Sequence, residues 1–352
     1  MVDDMLEIDG SYLEGGGQIV RTSLALSSIT GKACKIINIR KGRPAPGLKT
    51  QHLQAVKAVA TLCEANVVGA ELKSTILAFK PRKINIENIR IDIPTAGSVG
   101  LVLQALMIPA AHAKKIVNIE INGGATTGKW AVPVNYIKYV LLPILEKIGY
   151  QAELEIIKYG YYPKGGAKVK MKVFPVKKFL PVSILEQGKV KALRGISHAS
   201  QELKVARVAE RQARAAKSAM VDILKEIGNG EIKTTYVETN STGSGIDLWI
   251  ETKNSVVGAN GLGELKKRAE IVGEEAGKKL LKEYKSGAPV DSHMADQIIP
   301  YLGLASMEKK CEIRVSEITN HTKTNIWVTE KFLPVRFEIN KKKKIIKCKA
   351  ID

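Results

Sequence analysis

The sequence has 352 residues, of which 45% are hydrophobic and 26% charged, a balance that argues against a disordered chain. Its 55 Lys and Arg against 35 Asp and Glu give a net charge of +20, which should attract polyanions such as nucleic acid or nucleotide triphosphates. The four cysteines are too far apart for a structural zinc site, and no apolar stretch is long enough to span a membrane. With no secretory signal recognisable after Met1, we predict a cytoplasmic protein.

Taken in chain order, the predicted elements repeat the same pattern three times. Each copy has a helix, a strand and a second helical segment, and in the second and third copies two further strands follow. The apolar spacing predicts helices over 18–29 and 47–64 in the first copy and over 99–112 and 132–148 in the second. In the third copy it predicts a helix over 294–305, and the segment 324–332 takes the place of the second helical segment. The predicted strands are 34–39, 116–121, 153–157, 167–173, 311–315, 335–339 and 345–349.

A segment from about residue 187 to residue 275 interrupts this order. It predicts a long helix over 202–227, strands over 232–237 and 246–251, and a helix over 265–284. We therefore predict an α/β (α+β) fold in which residues 1–186 and 276–352 form a core of three repeated units. Residues 187–275 form a smaller inserted α/β domain. Chance similarity is the alternative, because short helix-strand-helix patterns are common in α/β proteins.

Three glycines at positions 15–17 lie between Glu14 and a predicted helix that carries Arg21. Glycines let backbone amides approach a ligand, a helix N-terminus favours anions, arginine forks onto phosphate oxygens, and a carboxylate can bind a divalent metal. This pattern predicts a phosphate-binding corner. A tight turn with an exposed glutamate is the alternative.

A basic loop follows, with Arg40 and Arg43 held stiff by two prolines, and it leads into a helix that contains His52. Rigid cations lose little entropy on binding, so the loop suits a phosphate-rich ligand, although exposed basic loops are common. A second glycine-rich segment, residues 123–129, has the spacing of a P-loop. Trp130 stands where a P-loop needs Ser or Thr, and Pro133 delays the helix, so we reject that interpretation.

His321 lies in a polar stretch between a predicted strand and a helix. A neutral imidazole is a competent nucleophile toward phosphorus, and the phosphoramidate that it forms can pass its group on. This chemistry alone does not select His321 over His52, His112, His198 or His293.

Together these motifs resemble the RNA 3'-terminal phosphate cyclase family, in an archaeal-like form. The resemblance rests on residues 14–21, on residues 42–48 with 51–53, on 295–297, and on His321 with 324–326 and 332–337. It implies three repeated units of two helices and a four-stranded sheet, plus an inserted α/β domain. It also implies an ATP-dependent reaction. A histidine takes AMP from ATP, the RNA 3'-phosphate receives the AMP, and the 2'-hydroxyl then displaces it to close a 2',3'-cyclic phosphate.

The resemblance also assigns roles to residues. It implies that His321 accepts AMP and that Glu14 binds Mg²⁺ or Mn²⁺ on the ATP phosphates. The positions that it places around the nucleotide and RNA phosphates are Arg21, Arg40, Arg43, Gln51 and His52. It places Asp296 and Gln297 by the histidine and the nucleotide, Pro133 and Tyr136 near adenine, and His293 in contact with the nucleotide. Two details depart from the family pattern: Val132 stands where relatives often have a proline, and His293 where they can have tyrosine.

Two other functions remain as alternatives. One is a non-catalytic cyclase-like protein that binds RNA during ribosome assembly, but such relatives lack the nucleophilic histidine. The other is an enolpyruvyl transferase, whose fold repeats a similar unit and which does not become adenylated. A homodimer is possible, because exposed strands could pair between subunits.

Overall fold

The computed structural model describes residues 5–228 and 230–351. Within them the chain is a mixed α/β protein with four sheets of four strands each, which confirms the predicted fold class at that level. In those two ranges no helix combines the length and the apolar character that crossing a bilayer requires.

The first sheet has the strand order β1-β2-β4-β3. Strands β1 and β2 are parallel, so a helix must cross between them, and the other pairs are antiparallel. Its elements are β1 (Leu6–Asp9), α1 (Gly17–Thr30), β2 (Cys34–Ile37), α2 (Thr50–Leu62), β3 (Asn66–Val68) and β4 (Leu77–Lys80).

The second sheet repeats this arrangement, with the order β5-β6-β8-β7 and one parallel pair, β5 and β6. The helix that follows β6 contains a π-helical turn between two short α-helical pieces. Its elements are β5 (Asn88–Ser98), α3 (Val99–Ala111), β6 (Val117–Ala125), α4 (Val134–Tyr136), the π-turn (Ile137–Leu141), α5 (Leu142–Glu146), β7 (Ala152–Lys158) and β8 (Lys168–Val173).

After the short strand β9 (Ser183–Ile184), the chain forms a separate sheet with the order β11-β10-β12-β13. We call it the fourth sheet, because the main body contains the other three. The fourth sheet and its helices enclose a hydrophobic cluster distinct from the main core. Its elements are β10 (Val190–Ser200), a 3₁₀ turn (Gln201–Leu203), α6 (Val208–Ala219), α7 (Val221–Ile227), β11 (Gly230–Val237), β12 (Ser244–Thr252), β13 (Val256–Leu262) and α8 (Ala269–Lys285).

The single helix predicted over 202–227 is wrong. Arg207 has φ +51°, a left-handed backbone that cannot belong to a right-handed helix, so α6 begins only after it. Residue 275, where the predicted inserted segment ends, lies inside α8, which packs against α6, β12 and β13.

The third sheet of the main body has the order β9-β14-β16-β15, again with its first pair parallel and the others antiparallel. Helices of all three sheets meet in one continuous core, where α1 packs against α2, α3 and α11. Its remaining elements are α9 (Met294–Gln297), α10 (Ile299–Ser306), β14 (Cys311–Arg314), α11 (Asn320–Phe332), β15 (Val335–Asn340) and β16 (Ile345–Ala350).

Candidate functional site

The N-termini of α1 and α11 lie side by side. A Cβ added to Gly16, which precedes α1, would lie 3.9 Å from Cε1 of His321 in the first turn of α11. No side chain caps α1, whereas Thr319 caps α11 by accepting from the Thr322 amide. The first backbone amides of α1 therefore remain for a ligand, and two helix dipoles favour an anion at the same place.

Gly17 brings α1 into direct contact with the start of α2. A Cβ at this position would overlap the imidazole of His52, so any side chain here would displace that ring. The ring is buried, and its Nδ1 accepts a hydrogen bond from the Lys49 amide at 3.2 Å. Burial, followed by the charges of Arg21, Arg40 and Lys49, lowers the pKa of His52 to about 3. His52 is therefore neutral at physiological pH, with its proton on Nε2.

His321 is held in one tautomer by Gln18. Its Nδ1 lies 2.6 Å from Oε1 of Gln18. The amide nitrogen of Gln18 donates to the His321 carbonyl at 3.3 Å and to Oδ2 of Asp296 at 3.5 Å, so the amide oxygen must face the ring. An amide oxygen only accepts, and therefore Nδ1 carries the proton and Nε2 keeps its lone pair.

The surroundings of His321 also favour the neutral form. The side chain is 43% exposed, and its Nε2 lies 3.8 Å from Oε1 of Glu14. Burial lowers the pKa of His321 below its ordinary value; Glu14 opposes this shift, while Arg21, Arg43 and His293 reinforce it. An uncharged nucleophile with one accessible nitrogen is the result.

Glu14 is oriented by the basic loop. Nη2 of Arg43 donates to Oε1 of Glu14 at 2.9 Å, while Oε2 has no hydrogen-bond partner among the residues that the structure describes. Within those residues no group of three or more His, Cys, Asp or Glu side chains could enclose a metal ion. A single carboxylate oxygen fits the way Mg²⁺ usually binds, through one or two carboxylates plus substrate phosphates.

Arg40 braces the loop that carries Arg43. Its Nη1 donates to the carbonyls of Ala45, at 2.6 Å, and Gly47, at 2.8 Å, and the side chain is buried. The loop therefore closes around its own arginine, in addition to the stiffness that its prolines provide. These hydrogen bonds from Arg40 support the loop. A contact between Arg40 and phosphate stays a prediction.

Arg21 and Asp296 are half-buried side chains whose ionisations influence each other. Burial lowers the pKa of Arg21 to about 10, so it stays charged at neutral pH, with Asp296 opposing the shift. Burial, reinforced by Asp291 and opposed by Arg21, raises the pKa of Asp296 to about 7. Asn325 holds the segment in place: it accepts from Thr22 at 2.8 Å and donates to the Asp296 carbonyl at 2.6 Å.

The raised pKa of Asp296 predicts a pH effect on stability. Between its ordinary 3.8 and about 7, the folded carboxyl keeps a proton that the unfolded one has lost, so the unfolding free energy falls as pH rises. Asp296→Asn cannot ionise, and we expect its Tm to fall less between pH 5 and pH 8 than that of the unaltered protein, by roughly 2–4 °C. Calorimetry measures this difference. Asp92→Asn, at an exposed carboxylate, is the control, and equal Tm changes in all three proteins would contradict the prediction.

Pro133 and Tyr136 lie at the two ends of the short helix α4. Pro133 is the N-cap residue, and the buried hydroxyl of Tyr136 donates to Oδ1 of Asp291 at 2.6 Å. Asp291 also accepts from the amides of His293 and Met294 and, through Oδ2, from that of Gly258. The rings of Tyr136 and exposed His293 meet edge to face at 6.3 Å.

Gln297 and Gln51 complete the predicted set. Gln297 donates to the His293 carbonyl at 3.0 Å and accepts from Gln104 at 2.8 Å. Gln51, next to His52, accepts a long hydrogen bond from the Ser98 amide, at 3.4 Å. Most of the predicted set is linked by contacts or charge interactions: Glu14, Arg21, Arg40, Arg43, His52, Tyr136, His293, Asp296, Gln297 and His321. Gln51 is next to His52 in sequence, and Pro133 caps the helix that ends at Tyr136. The roles of all these residues stay predictions.

Two residues had no role in the sequence analysis and are central to this geometry. Gln18 orients the His321 ring, and Asp291 anchors the segment that carries His293 and Asp296. The available signal was a glutamine in the first turn of a predicted helix, directly after three glycines. A buried polar side chain needs a partner, and here the partner is 303 residues away.

Polar side chains also join α4 to the fourth sheet. Oδ2 of Asp247 accepts from Asn135 at 2.8 Å and lies 3.2 Å from Nε2 of His198. Nδ1 of His198 lies 2.6 Å from the Tyr161 hydroxyl. Asn135, His198 and Asp247 are all buried, so these hydrogen bonds hold the fourth sheet against α4 at Asn135. Asn135 directly precedes Tyr136.

Fold and site together define an α/β protein in which a neutral histidine lies beside the uncapped N-terminus of a helix and a basic loop. The sequence profile of the RNA 3'-terminal phosphate cyclase family matches residues 12–339. An RNA 3'-terminal phosphate cyclase from Methanococcoides burtonii is 46% identical over 344 residues, covering 97% of this chain and 99% of the relative. Relatives with the same description from Methanopyrus kandleri and Pyrococcus abyssi are each 44% identical, covering 96% of this chain and 96% and 95% of their own lengths.

The chain belongs to the RNA 3'-terminal phosphate cyclase family. The family and the enzyme class predicted from the motifs are thereby confirmed, and with them an ATP-dependent cyclase activity. The individual roles of the site residues and the divalent metal are separate questions.

Proposed function

We propose that this enzyme closes a 2',3'-cyclic phosphate on RNA through a covalent bond between His321 and AMP. In the first step Nε2 of His321 attacks the α-phosphorus of ATP, a P–N bond forms, and pyrophosphate leaves. An oxygen of the RNA 3'-phosphate then attacks the AMP phosphorus and breaks the P–N bond. Finally the neighbouring 2'-hydroxyl attacks the 3'-phosphorus and AMP leaves. The observation that carries the proposal is the Gln18 hydrogen bond, which leaves Nε2 unprotonated and available.

The adenylation step supplies a leaving group. A terminal phosphate offers a poor leaving oxygen, whereas an adenylated phosphate releases AMP, so ring closure requires no strong base. The site supports each transfer by placing positive electrostatic potential where charge develops. Arg43 and Arg21 supply full charges, and the uncapped amides of α1 supply partial ones.

Other predicted residues receive more limited roles. Pro133, Tyr136 and His293 bind the adenine end, where two rings already meet. Gln51 and the Nε2–H of His52 donate to phosphate oxygens, and Asp296 and Gln297 position the segment beside the nucleotide. Arg40 keeps Arg43 in place through the loop that it closes.

A divalent cation, Mg²⁺ or Mn²⁺, is part of the proposal. Oε2 of Glu14, together with the ATP phosphates, would hold it, and its charge would offset that of the triphosphate. Arg43 meanwhile fixes the glutamate through Oε1, so the same carboxylate serves both partners.

We also propose that the three sheets with one shared strand order are repeats of a single β-α-β-α-β-β unit. The fourth sheet and its helices are then an inserted domain. Its separate hydrophobic cluster supports this division, and the packing of α8 on α6 supports an end of the domain after Lys285 rather than at residue 275.

The test of the proposed mechanism is covalent labelling. Purified protein incubated with α-labelled ATP and Mg²⁺ should retain AMP through denaturation, and the labelled peptide should contain His321. A protein that binds RNA with a 3'-phosphate but never retains AMP would favour the binding-only alternative.

The role of Gln18 gives a separate prediction. Gln18→Ala removes the acceptor for Nδ1, so the proton is free to move to Nε2 and the ring to rotate. We expect self-adenylation to slow by roughly 10- to 100-fold with the nucleotide affinity little changed, the usual cost of losing a group that orients a reactive imidazole. Single-turnover labelling measures the rate. Gln151→Ala, at an exposed glutamine, is the control; equal rates for both variants would remove Gln18 from the mechanism.

A further inference from the structure

Two large apolar side chains project fully into solvent from neighbouring loops. Trp130 is 96% exposed, in the loop between β6 and α4, and Leu265 is 93% exposed, in the loop between β13 and α8. The residues just before them are joined, because Nζ of Lys129 lies 2.7 Å from Oε2 of Glu264. One ion pair thus joins the loop of the tryptophan, in the main body, to the loop of the leucine, beside the fourth sheet.

The backbone of both loops is strained at this point. Trp130 has φ +57° and Lys266 has φ +65°, left-handed conformations that residues with side chains rarely adopt. Such conformations cost free energy and persist where the surrounding structure holds them, commonly at ligand-binding positions. A buried tryptophan would gain hydrophobic energy, and here the chain is instead held in a form that keeps the ring in water.

Positive charge accompanies the apolar pair. Lys266, Lys267 and Arg268 follow Leu265 directly. Lys267 is paired with Glu275 and Arg268 with Glu270, whereas Lys266 forms no ion pair with any residue that the structure describes. An exposed aromatic ring with cations on both sides is the combination that binds single-stranded nucleic acid, where a base stacks on the ring and phosphates meet the cations.

The loop leads directly into the proposed nucleotide site. Two residues separate Trp130 from Pro133, at most about 11 Å of chain. Pro133 caps the helix whose Tyr136 meets His293, and His293 in turn influences the pKa of His321. Trp130 therefore lies close along the chain to the helix that carries part of the proposed site.

We propose that Trp130 and Leu265 form a stacking platform for an unpaired RNA base upstream of the reacting 3' end, with Lys266 binding the adjoining backbone phosphate. This inference rests on the proposed function, because it places the 3'-phosphate at His321. It gives the fourth sheet a part in substrate binding. RNA rather than protein is the expected occupant, because Lys266 has a positive charge with no ion-pair partner among the described residues and the loop of Trp130 leads into α4, at the proposed nucleotide site.

The test compares substrates of two lengths. With a single-stranded RNA of about ten nucleotides ending in a 3'-phosphate, Trp130→Ala should raise the KM about tenfold. With a 3'-phosphorylated dinucleotide, which is too short to reach the platform, the same variant should change the KM less than twofold. Trp130→Phe, which keeps a ring, should leave the KM for the longer RNA close to that of the unaltered protein. Tyr162→Ala, at another exposed aromatic, should leave this KM unchanged.

Self-adenylation without RNA separates the two hypotheses. If neither the unaltered protein nor Trp130→Ala retains AMP, the proposed function fails. If both retain it at the same rate and the KM for the longer RNA is unchanged in Trp130→Ala, only the platform is overturned. Loss of a concentration-dependent dimer in Trp130→Ala, seen by sedimentation while the RNA KM stays constant, would also overturn the platform and assign this surface to self-association.

Discussion

His321→Ala should retain no AMP after incubation with α-labelled ATP and Mg²⁺, whereas the unaltered protein should be labelled. The substitution removes the only atom that the proposed mechanism lets attack phosphorus, so we expect the labelling rate to fall by roughly 10³-fold or more. Gel autoradiography after denaturation measures the retained AMP. Since the pKa of His321 lies below its ordinary value, labelling of the unaltered protein should persist into mildly acidic solution and fall only once the ring takes up a proton.

A matched control for this experiment is another histidine that serves packing alone. His112 is such a residue: its Nδ1 lies 3.0 Å from the Ile108 carbonyl, and its ring packs against Phe179. His112→Ala should retain AMP normally, provided that it is assayed below its unfolding temperature. Label retained by His321→Ala at the unaltered level would place the nucleophile on another residue and overturn the proposed mechanism.

Glu14→Ala should slow self-adenylation by about 100-fold when Mg²⁺ is limiting, and by much less when it is saturating. Removing the carboxylate takes away the one protein oxygen that we assign to the cation, so the cation must bind through the ATP phosphates alone. The measurement is the labelling rate across a Mg²⁺ titration. Glu7→Ala, at an exposed carboxylate of β1, should follow the curve of the unaltered protein.

A second substitution distinguishes cation binding from support of Arg43. Glu14→Gln keeps an oxygen that accepts from Arg43 but loses the negative charge. If the glutamine variant behaves like the alanine variant, charge is what matters and the metal assignment stands. If glutamine restores the full rate at low Mg²⁺, Glu14 acts by holding Arg43, and the metal assignment is wrong.

Long apolar elements of the main body could be predicted from sequence, and short or strained ones could not. Helix α3 was predicted over 99–112 and lies at Val99–Ala111, because its continuous apolar run leaves little ambiguity. Strands β3 and β9 have three and two residues, too few for any alternation to show. The helix expected over 202–227 was divided because the left-handed backbone at Arg207 depends on tertiary packing, which helix propensity does not contain.

The site itself was predictable mainly as a set of motifs. The glycines beside Glu14 and the polar stretch around His321 are local patterns, and the family resemblance united them. Their mutual geometry is not local: Gln18 and His321 are separated by 303 residues, and the tautomer depends on that one contact. The brace formed by Arg40 was equally hidden, because nothing in the order of residues tells whether an arginine turns toward solvent or back onto its own loop.

The hydrogen bonds between α4 and the fourth sheet set a limit on how far this enzyme can be shortened. A chain trimmed to its three similar sheets would leave the buried Asn135 amide without the Asp247 carboxylate, and unmet polar groups of that kind draw in water or force the backbone to move. Because Tyr136 is the next residue, such loosening would first reach the position that we propose for adenine. A chain without the fourth sheet would therefore need a redesigned surface on α4, with Asn135 replaced by an apolar residue, to bind its nucleotide.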